Sequence, residues 1–332
     1  MGRRAPDCRG VRAGPLRRGG SGAADRRRRA AGLPGARIAP RLIAVVGPTA
    51  SGKTQLAIRV AEALDAEIVS ADSRLVYRGL AIGTAKPTAQ EQARVPHHCI
   101  DLVDPGERYD AARYRRDATA AIAGIAARGR RAIVVGGTGL YVRALLDGLD
   151  LDAVPGDPAL RRELEALPAS EVFERLGALD PEAAARASGN PRRAVRYLEI
   201  ASLAGSLGAA RHQADPVDAI RVGLAPPREV IAAAIAARVR TMVDAGVLEE
   251  TRALLSRGLA AGLPSMTGHG YVHWAAHLAG ALSLEEAIAR TVRDTRAYAR
   301  RQMTWFRRDP HIRWYDPTRA DPLPDVIRAA AA

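Results

Sequence analysis

The chain has 332 residues, enough for one large α/β domain with an insertion or for two domains. Its longest uncharged apolar stretches, 118–127 and 230–237, run about ten residues and are too short to span a bilayer. The basic amino terminus lacks the apolar segment of a secretory signal, and Cys8 and Cys99 make no disulfide framework. We therefore expect a reduced cytoplasmic protein and, by default, a monomer.

The formal net charge of +14 is concentrated at the amino terminus. Residues 1–41 contain 12 arginines and two aspartates, which accounts for +10 and leaves +4 for the rest of the chain. Segment 1–40 is rich in Arg, Gly, Ala and Pro without apolar periodicity, which predicts a disordered extension. The overall charge therefore says little about the partners of the folded part.

Strands and helices alternate after this extension. The predicted elements are, in order, strand 42–47, helix 54–64, strand 66–72, helix 109–129 and strand 131–139, which enters a glycine turn. Strand–helix alternation of this kind predicts an α/β fold with a parallel sheet and crossover helices.

The pattern changes near residue 151. Several short amphipathic helices with Asp-Pro and Asn-Pro starts follow, which predict a small inserted helical domain. Strand 219–226 then precedes a long helix from 229 to about 257, a last helix from 284 to about 307, and a possible edge strand 311–316. The resulting division is an extension 1–40, a core in two parts, 41–150 and 213–332, and an insertion 151–212.

The clearest motif lies between the first strand and the first helix. The sequence GPTASGKT matches G-x-x-x-x-G-K-[ST], which makes the expected fold P-loop NTPase-like. Glycines let backbone N–H groups surround phosphate at a helix N-terminus, while the lysine adds a charge and the threonine can hold Mg²⁺. The predicted phosphate-binding residues are Gly47, Pro48, Thr49, Ala50, Ser51, Gly52, Lys53 and Thr54, the last of them also a candidate Mg²⁺ ligand.

Asp72 is the candidate carboxylate of this site. It follows the second strand at its carboxyl end, where ligands bind in open parallel sheets, whereas strand 131–139 offers no acid for a hydrolytic P-loop. A P-loop with one nearby acid fits a small-molecule kinase and equally a transferase whose leaving group is diphosphate. In a transferase Asp72 can accept a proton from the nucleophile. Thr138, in the glycine turn, is a candidate substrate contact.

The segment 290–314 is rich in arginine interleaved with aromatic residues, which are Tyr298, Trp305, Phe306 and Trp314. Arginines bind phosphate backbones and aromatic rings stack on unpaired bases, so the segment is a candidate RNA contact. The alternative is an amphipathic helix with solvated arginines. In the segment 95–99, VPHHC, the possible metal ligands are adjacent rather than spaced, so we expect no metal site there.

Taken together, these segments resemble the tRNA dimethylallyltransferase (IPP transferase) family over 42–314. The resemblance rests on GPTASGKTQLA (47–57), DSRLVYRGLAIGTAKP (72–87), VPHHCIDLVDP (95–105), GGTGLYVRALLDGL (136–149) and TRAYARRQMTWFRR (295–308). It implies transfer of a dimethylallyl group from dimethylallyl diphosphate to N6 of the adenine 3′-adjacent to the tRNA anticodon.

The resemblance also implies roles for particular residues. Asp72 corresponds to the general base, Thr138 to a substrate-contacting threonine, and Arg238 to an arginine that helps to hold the diphosphate. Mg²⁺ would accompany the diphosphate on the P-loop. The implied tRNA contacts are Asp72, Ser73, Arg74, Leu75, Thr138, Arg161, Arg192, Arg193, Ala194, Val195, Arg196, Thr267, Gly268, His269, Gly270, Tyr271, Val272, Arg296, Arg300 and Arg301.

The sequence departs from the family pattern at a few positions, which are Ser188, Ser206, Ala234, His269 and Val272. They bear on affinity and on the choice of tRNA more than on the reaction. Three alternatives stay open at this point: a P-loop small-molecule kinase, an isopentenyltransferase that acts on free adenine nucleotide, and a non-catalytic RNA-binding P-loop protein.

Overall fold

The computed structural model describes residues 41–149, 154, 156–207, 216–268 and 270–332. The predicted extension 1–40 and the implied tRNA contact His269 lie outside the described residues. The described residues belong to one compact unit of the chain.

A parallel sheet forms the centre of the fold, with six strands among the described residues in the order β3-β2-β4-β1-β5-β6. The strands are β1 (Leu42–Val46), β2 (Ala66–Ser70), β3 (His97–His98), β4 (Arg131–Gly136), β5 (Ala219–Leu224) and β6 (Ile312–Tyr315). The central strand β1 is buried on both faces, as its continuous apolar sequence predicts. The prediction of a parallel sheet with crossover helices is confirmed.

The described helices are α1 (Lys53–Leu64), α2 (Ala89–Arg94), α3 (Ala111–Ala127), α4 (Gly139–Leu146), α5 (Pro158–Ala166), α6 (Ala169–Leu179), α7 (Pro181–Ala187), α8 (Pro191–Ala204), α9 (Arg228–Asp244), α10 (Val247–Ser256), α11 (Tyr271–Leu278), α12 (Leu284–Phe306) and α13 (Leu323–Ala331). Of these described helices, none is long and apolar enough to cross a membrane. The longest, α12, begins with a capping box between Ser283 and Glu286, which fixes its start.

The structure corrects one predicted element and adds others that the sequence did not predict. The single helix from 229 to about 257 is wrong, because Gly246, at φ 94°, separates α9 from α10. Residues 97–98 form the short edge strand β3, which the sequence reading did not predict. Helix α13 was not predicted either, whereas β6 is the edge strand that the sequence suggested.

Helices α5 to α8 pack around their own apolar core. Its largest members include Leu164, Val172, Leu176 and Leu198, all nearly inaccessible to solvent. Asp157, Asp180 and Asn190 begin α5, α7 and α8 through side-chain bonds to backbone N–H groups, as their Asp-Pro and Asn-Pro sequences predict. The assignment of 151–212 as a separate inserted domain stays a prediction.

Candidate active site

The P-loop connects the end of β1 to the start of α1, so its backbone lies at the carboxyl edge of the sheet. Gly47 has φ 141°, and a Cβ added there would lie 2.6 Å from the carbonyl oxygen of Leu224. Gly52 has φ 89° immediately before α1. Both positions therefore favour glycine, and the loop leads into the amino terminus of α1, where backbone N–H groups can bind an anion.

A cavity of about 200 Å³, here called the loop cavity, opens in front of the P-loop. Its walls come from α1, the ends of β2 and β4, α9 and α12, and they include Thr49, Ala50, Ser51, Gly52, Lys53, Thr54, Asp72, Leu75, Thr84, Ala85, Arg238, Tyr298 and Gln302. P-loop residues 49–54, Asp72 and Arg238 therefore meet at one cavity, although they are far apart in the chain.

Two cations stand at this cavity. Burial lowers the pKa of Lys53 to about 8, an effect that the Asp72 carboxylate opposes and Arg238 reinforces. The Lys53 ammonium donates to the Pro48 carbonyl over 2.7 Å, and Nη1 of Arg238 lies 3.4 Å from Oγ1 of Thr49. Burial also lowers the pKa of Arg238. Concentrated, poorly solvated positive charge of this kind favours a polyanionic ligand.

Asp72 and Thr138 are held together where β2 and β4 end. The Asp72 carboxylate accepts from the Arg74 N–H over 2.9 Å, and Oγ1 of Thr138 accepts from the Ser73 N–H over 3.0 Å. Thr138 stands at the start of α4 without capping it through its side chain. Its hydroxyl therefore fastens the glycine turn to the Asp72 segment.

The sequence reading missed Gln302 in α12. Its buried side-chain amide accepts from the Thr49 N–H over 2.8 Å and donates to the Gly137 carbonyl over 2.9 Å, which links the P-loop to the glycine turn. One signal was available, because Gln302 is a polar residue on the apolar stripe that includes Ala299 and Phe306.

Tyr298 lies one helical turn before Gln302 and also faces the loop cavity. Burial and the nearby Asp72 charge raise its pKa to about 12, against hydrogen bonds with Thr138 and Gln302 that lower it. The hydroxyl is therefore protonated at neutral pH and lies among Asp72, Thr138 and Gln302.

The other aromatic residues of 290–314 pack against the protein to different degrees. Phe306 belongs to the core, Trp305 packs closely over Gly139, and Trp314 packs over Gly223. The stacking prediction is therefore wrong for the buried Phe306. It stays a prediction for Trp305 and Trp314, whose side chains are partly exposed.

A second cavity of about 490 Å³, the outer cavity, lies beyond Asp72. Several implied tRNA contacts meet there, namely Ser73, Arg74, Thr267, Gly268, Gly270, Val272 and Arg301. The Arg74 guanidinium donates to the Pro264 carbonyl and lies 3.4 Å from Oγ1 of Thr267, which joins the two segments. Leu75 lines the loop cavity instead.

Tyr271 does not line the outer cavity, unlike its neighbours Gly270 and Val272. Its side chain is fully buried, and its hydroxyl donates to Glu250 over 2.6 Å. The same carboxylate accepts from the N–H groups of Ala81, Ile82 and Gly83. Glu250 and Tyr271 therefore fix the loop that carries Thr84 and Ala85 to the cavity wall.

The implied contacts on α5 and α8 divide into two kinds. Arg161 and Arg196 both bind the fully buried carboxylate of Glu199. Ala194 and Val195 lie in the core of these helices, whereas Arg192 is exposed and Arg193 is partly exposed. Arg161, Arg192, Val195 and Arg196 also line a cleft of about 970 Å³ against α3 and α4.

Arg296 and Arg300 do not reach the outer cavity. They line a groove of about 680 Å³ between α9 and α12. Because residues 300 and 301 point to different sides of one helix, adjacent arginines serve different surfaces.

The segment 95–99 forms the sheet edge. Nε2 of His98 lies 2.6 Å from the buried Glu67 carboxylate, and Nδ1 of His97 lies 2.7 Å from the Val95 carbonyl. Burial raises the pKa of the Cys99 thiol to about 12. Within the described ranges no three His, Cys, Asp or Glu side chains group as metal ligands would.

Fold and site together define a P-loop α/β protein whose loop faces a cation-lined cavity next to a carboxylate. A family model described as IPP transferase matches residues 75–309, and one described as isopentenyl transferase matches 40–100. The chain belongs to the tRNA dimethylallyltransferase family, whose members transfer prenyl groups, so the resemblance is confirmed.

The relatives cover most of the chain. A tRNA dimethylallyltransferase of Anaeromyxobacter dehalogenans (strain 2CP-C) is 53% identical over 291 residues, 83% of this chain and 96% of the relative. One from Roseiflexus sp. (strain RS-1) is 48% identical over 278 residues, 82% of this chain and 91% of the relative.

Solved structures agree. The full-length tRNA isopentenylpyrophosphate transferase of Bacillus halodurans is 39% identical, with a TM-score of 0.66, over 88% of this chain and 95% of that one. A eukaryotic dimethylallyltransferase, crystallised while acting on tRNA, is 25% identical, with a TM-score of 0.73, over 88% of this chain and 78% of that one.

Proposed function

We propose that this enzyme transfers a dimethylallyl group from dimethylallyl diphosphate to N6 of the adenine 3′-adjacent to the anticodon in tRNA, and releases diphosphate. The observation that carries the proposal is the meeting of Lys53, Arg238 and Asp72 at one cavity. Two cations fit a diphosphate leaving group, and one carboxylate fits a proton acceptor for the attacking amine.

The leaving group is the centre of the chemistry, because the exocyclic amine of adenine is a weak nucleophile. An allylic carbon–oxygen bond ionises more easily when the departing diphosphate is stabilised. The P-loop N–H groups, Lys53 and Arg238 supply that stabilisation in a partly buried cavity, where electrostatic interactions are strong. Gln302 holds the Thr49 N–H and so fixes the shape of the loop.

The residues present fit a Mg²⁺ ion beside the diphosphate. Thr54 and Asp72 line the loop cavity, and hydroxyl and carboxylate oxygens are the ligands that Mg²⁺ prefers. The buried hydroxyls of Ser51 and Ser70 also line it, without a hydrogen-bond partner among the described residues. Thr54 would hold the ion, which neutralises charge on diphosphate when bound.

Asp72 is the proposed general base. As N6 attacks, the carboxylate accepts its proton, while Thr138 keeps the segment in position through Ser73. The target base must leave its stack to reach this cavity, and an anticodon loop makes that easier than a duplex. The outer cavity, with Ser73, Arg74 and Arg301, is its proposed entry.

The remaining tRNA contacts are proposed on the same basis of family correspondence and position. They are Leu75, Arg161, Arg192, Arg193, Ala194, Val195, Arg196, Thr267, Gly268, His269, Gly270, Tyr271, Val272, Arg296 and Arg300. Since Ala194, Val195 and Tyr271 are buried, we expect them to shape their segments rather than to touch RNA with their side chains. We expect the enzyme to act as a monomer in the cytoplasm, where its proposed substrate is found.

The test is incubation of the purified protein with total tRNA and Mg²⁺, with either dimethylallyl diphosphate or ATP, followed by digestion and nucleoside mass spectrometry. We expect isopentenyl-adenosine with the allylic donor alone. Consumption of ATP without this nucleoside would instead indicate a kinase. Asp72→Asn should abolish turnover and keep tRNA binding, and unchanged turnover would remove Asp72 from the mechanism.

A further inference from the structure

Tyr298 lies at the boundary between the two cavities. It lines both the loop cavity and the outer cavity, and no other described residue does so. Two consecutive residues of the backbone also lie on either side of this boundary, because Asp72 lines the loop cavity and Ser73 lines the outer cavity. The Tyr298 side chain and the Asp72–Ser73 segment therefore border both cavities.

The Tyr298 ring is fixed at this boundary from two sides. Its hydroxyl interacts with Thr138 and Gln302, each of which is bonded to the segments that frame the loop cavity. The Arg301 guanidinium lies 5.8 Å from the ring centroid and belongs to the outer cavity. A half-buried ring whose hydroxyl is hydrogen-bonded and whose face contacts a guanidinium has limited freedom to rotate away.

The proposed reaction explains why a side chain at this boundary affects the outcome. When the allylic carbon–oxygen bond breaks, its electron pair leaves with the diphosphate, and the carbon accepts the next available lone pair. Attack by N6 forms the carbon–nitrogen bond and sends the N6 proton to Asp72. Attack by water forms an alcohol instead and releases a proton to solvent. Both outcomes release diphosphate, so exclusion of water from the ionising carbon favours transfer.

We propose that the Tyr298 ring shields the ionising allylic carbon from water that enters through the outer cavity, and so determines the partition between transfer to tRNA and hydrolysis. This inference rests on the proposed function. The ring, rather than the hydroxyl, is the required part, because the bulk of the ring lies beside the entering base and takes up space that water would occupy, whereas the hydroxyl only anchors it.

The experiment measures both products of one reaction. The enzyme reacts with isotopically labelled dimethylallyl diphosphate and tRNA, and the labelled nucleoside and the labelled C5 alcohols are quantified together against the diphosphate released. Tyr298→Ala should raise the ratio of alcohol to prenylated nucleoside at least tenfold, whereas Tyr298→Phe should leave the ratio within about twofold of the unmodified enzyme. Tyr298→Val, with intermediate bulk, should fall between them and replaces the alanine variant if that variant does not fold.

Met303→Ala is the matched control, since Met303 lies on α12 but lines the groove against α9. It should leave the ratio unchanged. A smaller fraction of folded enzyme lowers both products and does not move their ratio. An unchanged ratio in the alanine and valine variants, or an equal rise in the phenylalanine variant, overturns the shielding role. Absence of prenylated nucleoside with the unmodified enzyme overturns the proposed function itself.

Discussion

Positive charge is arranged in opposite ways at the loop cavity and in helices α5 to α8. At the loop cavity Lys53 and Arg238 lie close together. The Asp72 carboxylate is the acidic group that raises the pKa of Lys53 against the effect of burial. In α5 and α8, Arg161 and Arg196 converge on the buried Glu199. Burial opposes ionisation of Glu199, but these two arginines outweigh it and hold its pKa below the usual value.

The difference shows that arginine content does not measure the capacity to bind anions. An arginine neutralised by a buried carboxylate organises the protein, whereas a cation that burial destabilises gains from an incoming anion. We therefore expect the two regions to respond differently to substitution, the first through catalysis and the second through stability and RNA affinity.

The largest effect is expected at the loop cavity. Lys53→Ala should lower kcat/KM for dimethylallyl diphosphate by about 10²–10³-fold, because a donor to the developing diphosphate charge is lost. Steady-state kinetics measured by nucleoside mass spectrometry checks this, and tRNA affinity should not change. Arg59→Ala, on the exposed side of the same helix and paired with Asp321, is the control and should keep full activity. Equal loss in both variants would contradict the assignment.

Glu199 is expected to affect stability instead. Glu199→Ala leaves two arginines and the Asp157 N–H without their acceptor, so it should lower the local free energy of unfolding of α5 to α8 by about 2–3 kcal/mol. Hydrogen exchange should show faster exchange in these helices and unchanged exchange in β1 and β4. Glu174→Ala, at an exposed position of α6, should be neutral. Protected helices in the Glu199 variant would refute a structural role for the cluster.

The loop cavity should also respond to pH. Burial lowers the pKa of Lys53 to about 8, so its ammonium is charged below that pH and loses its proton above it. At saturating tRNA, kcat/KM for the donor should fall about tenfold for each pH unit above the pKa. A pH–rate profile checks this, and the descending limb should vanish in Lys53→Met. A limb that persists in the variant would assign the titration to another group.

The smallest effect is expected at an exposed arginine of α8. Arg192→Ala should weaken tRNA binding about two- to tenfold and reduce the slope of log affinity against log salt by about 1, because one phosphate contact is lost. Binding titrations at several salt concentrations check this. Arg175→Ala, whose guanidinium already binds Glu171 over 2.5 Å, is the control and should change neither quantity. An unchanged salt slope for Arg192→Ala would remove it from the RNA surface.

The sequence by itself determined the P-loop and the parallel sheet. The predicted phosphate-binding residues are consecutive, so a local loop and the start of one helix form this part of the cavity. Its two glycines indicate in the sequence that the backbone needs positive φ. The apolar strands likewise follow from periodicity that neighbouring residues carry. The position of Asp72 followed from the rule that ligands bind at the carboxyl ends of parallel strands.

Only the tertiary structure decided what surrounds that loop. Gln302 reaches Thr49 across 253 residues of chain, and Glu250 holds the loop at Ala81 to Gly83 from α10. The sequence predicted that Tyr298 stacks on an unpaired base, whereas the structure places its side chain at the boundary between two cavities. These long-range contacts depend on the packing of α10 and α12 against the rest of the protein. Helical periodicity says which face of a helix is buried, but it does not say which partner that face meets.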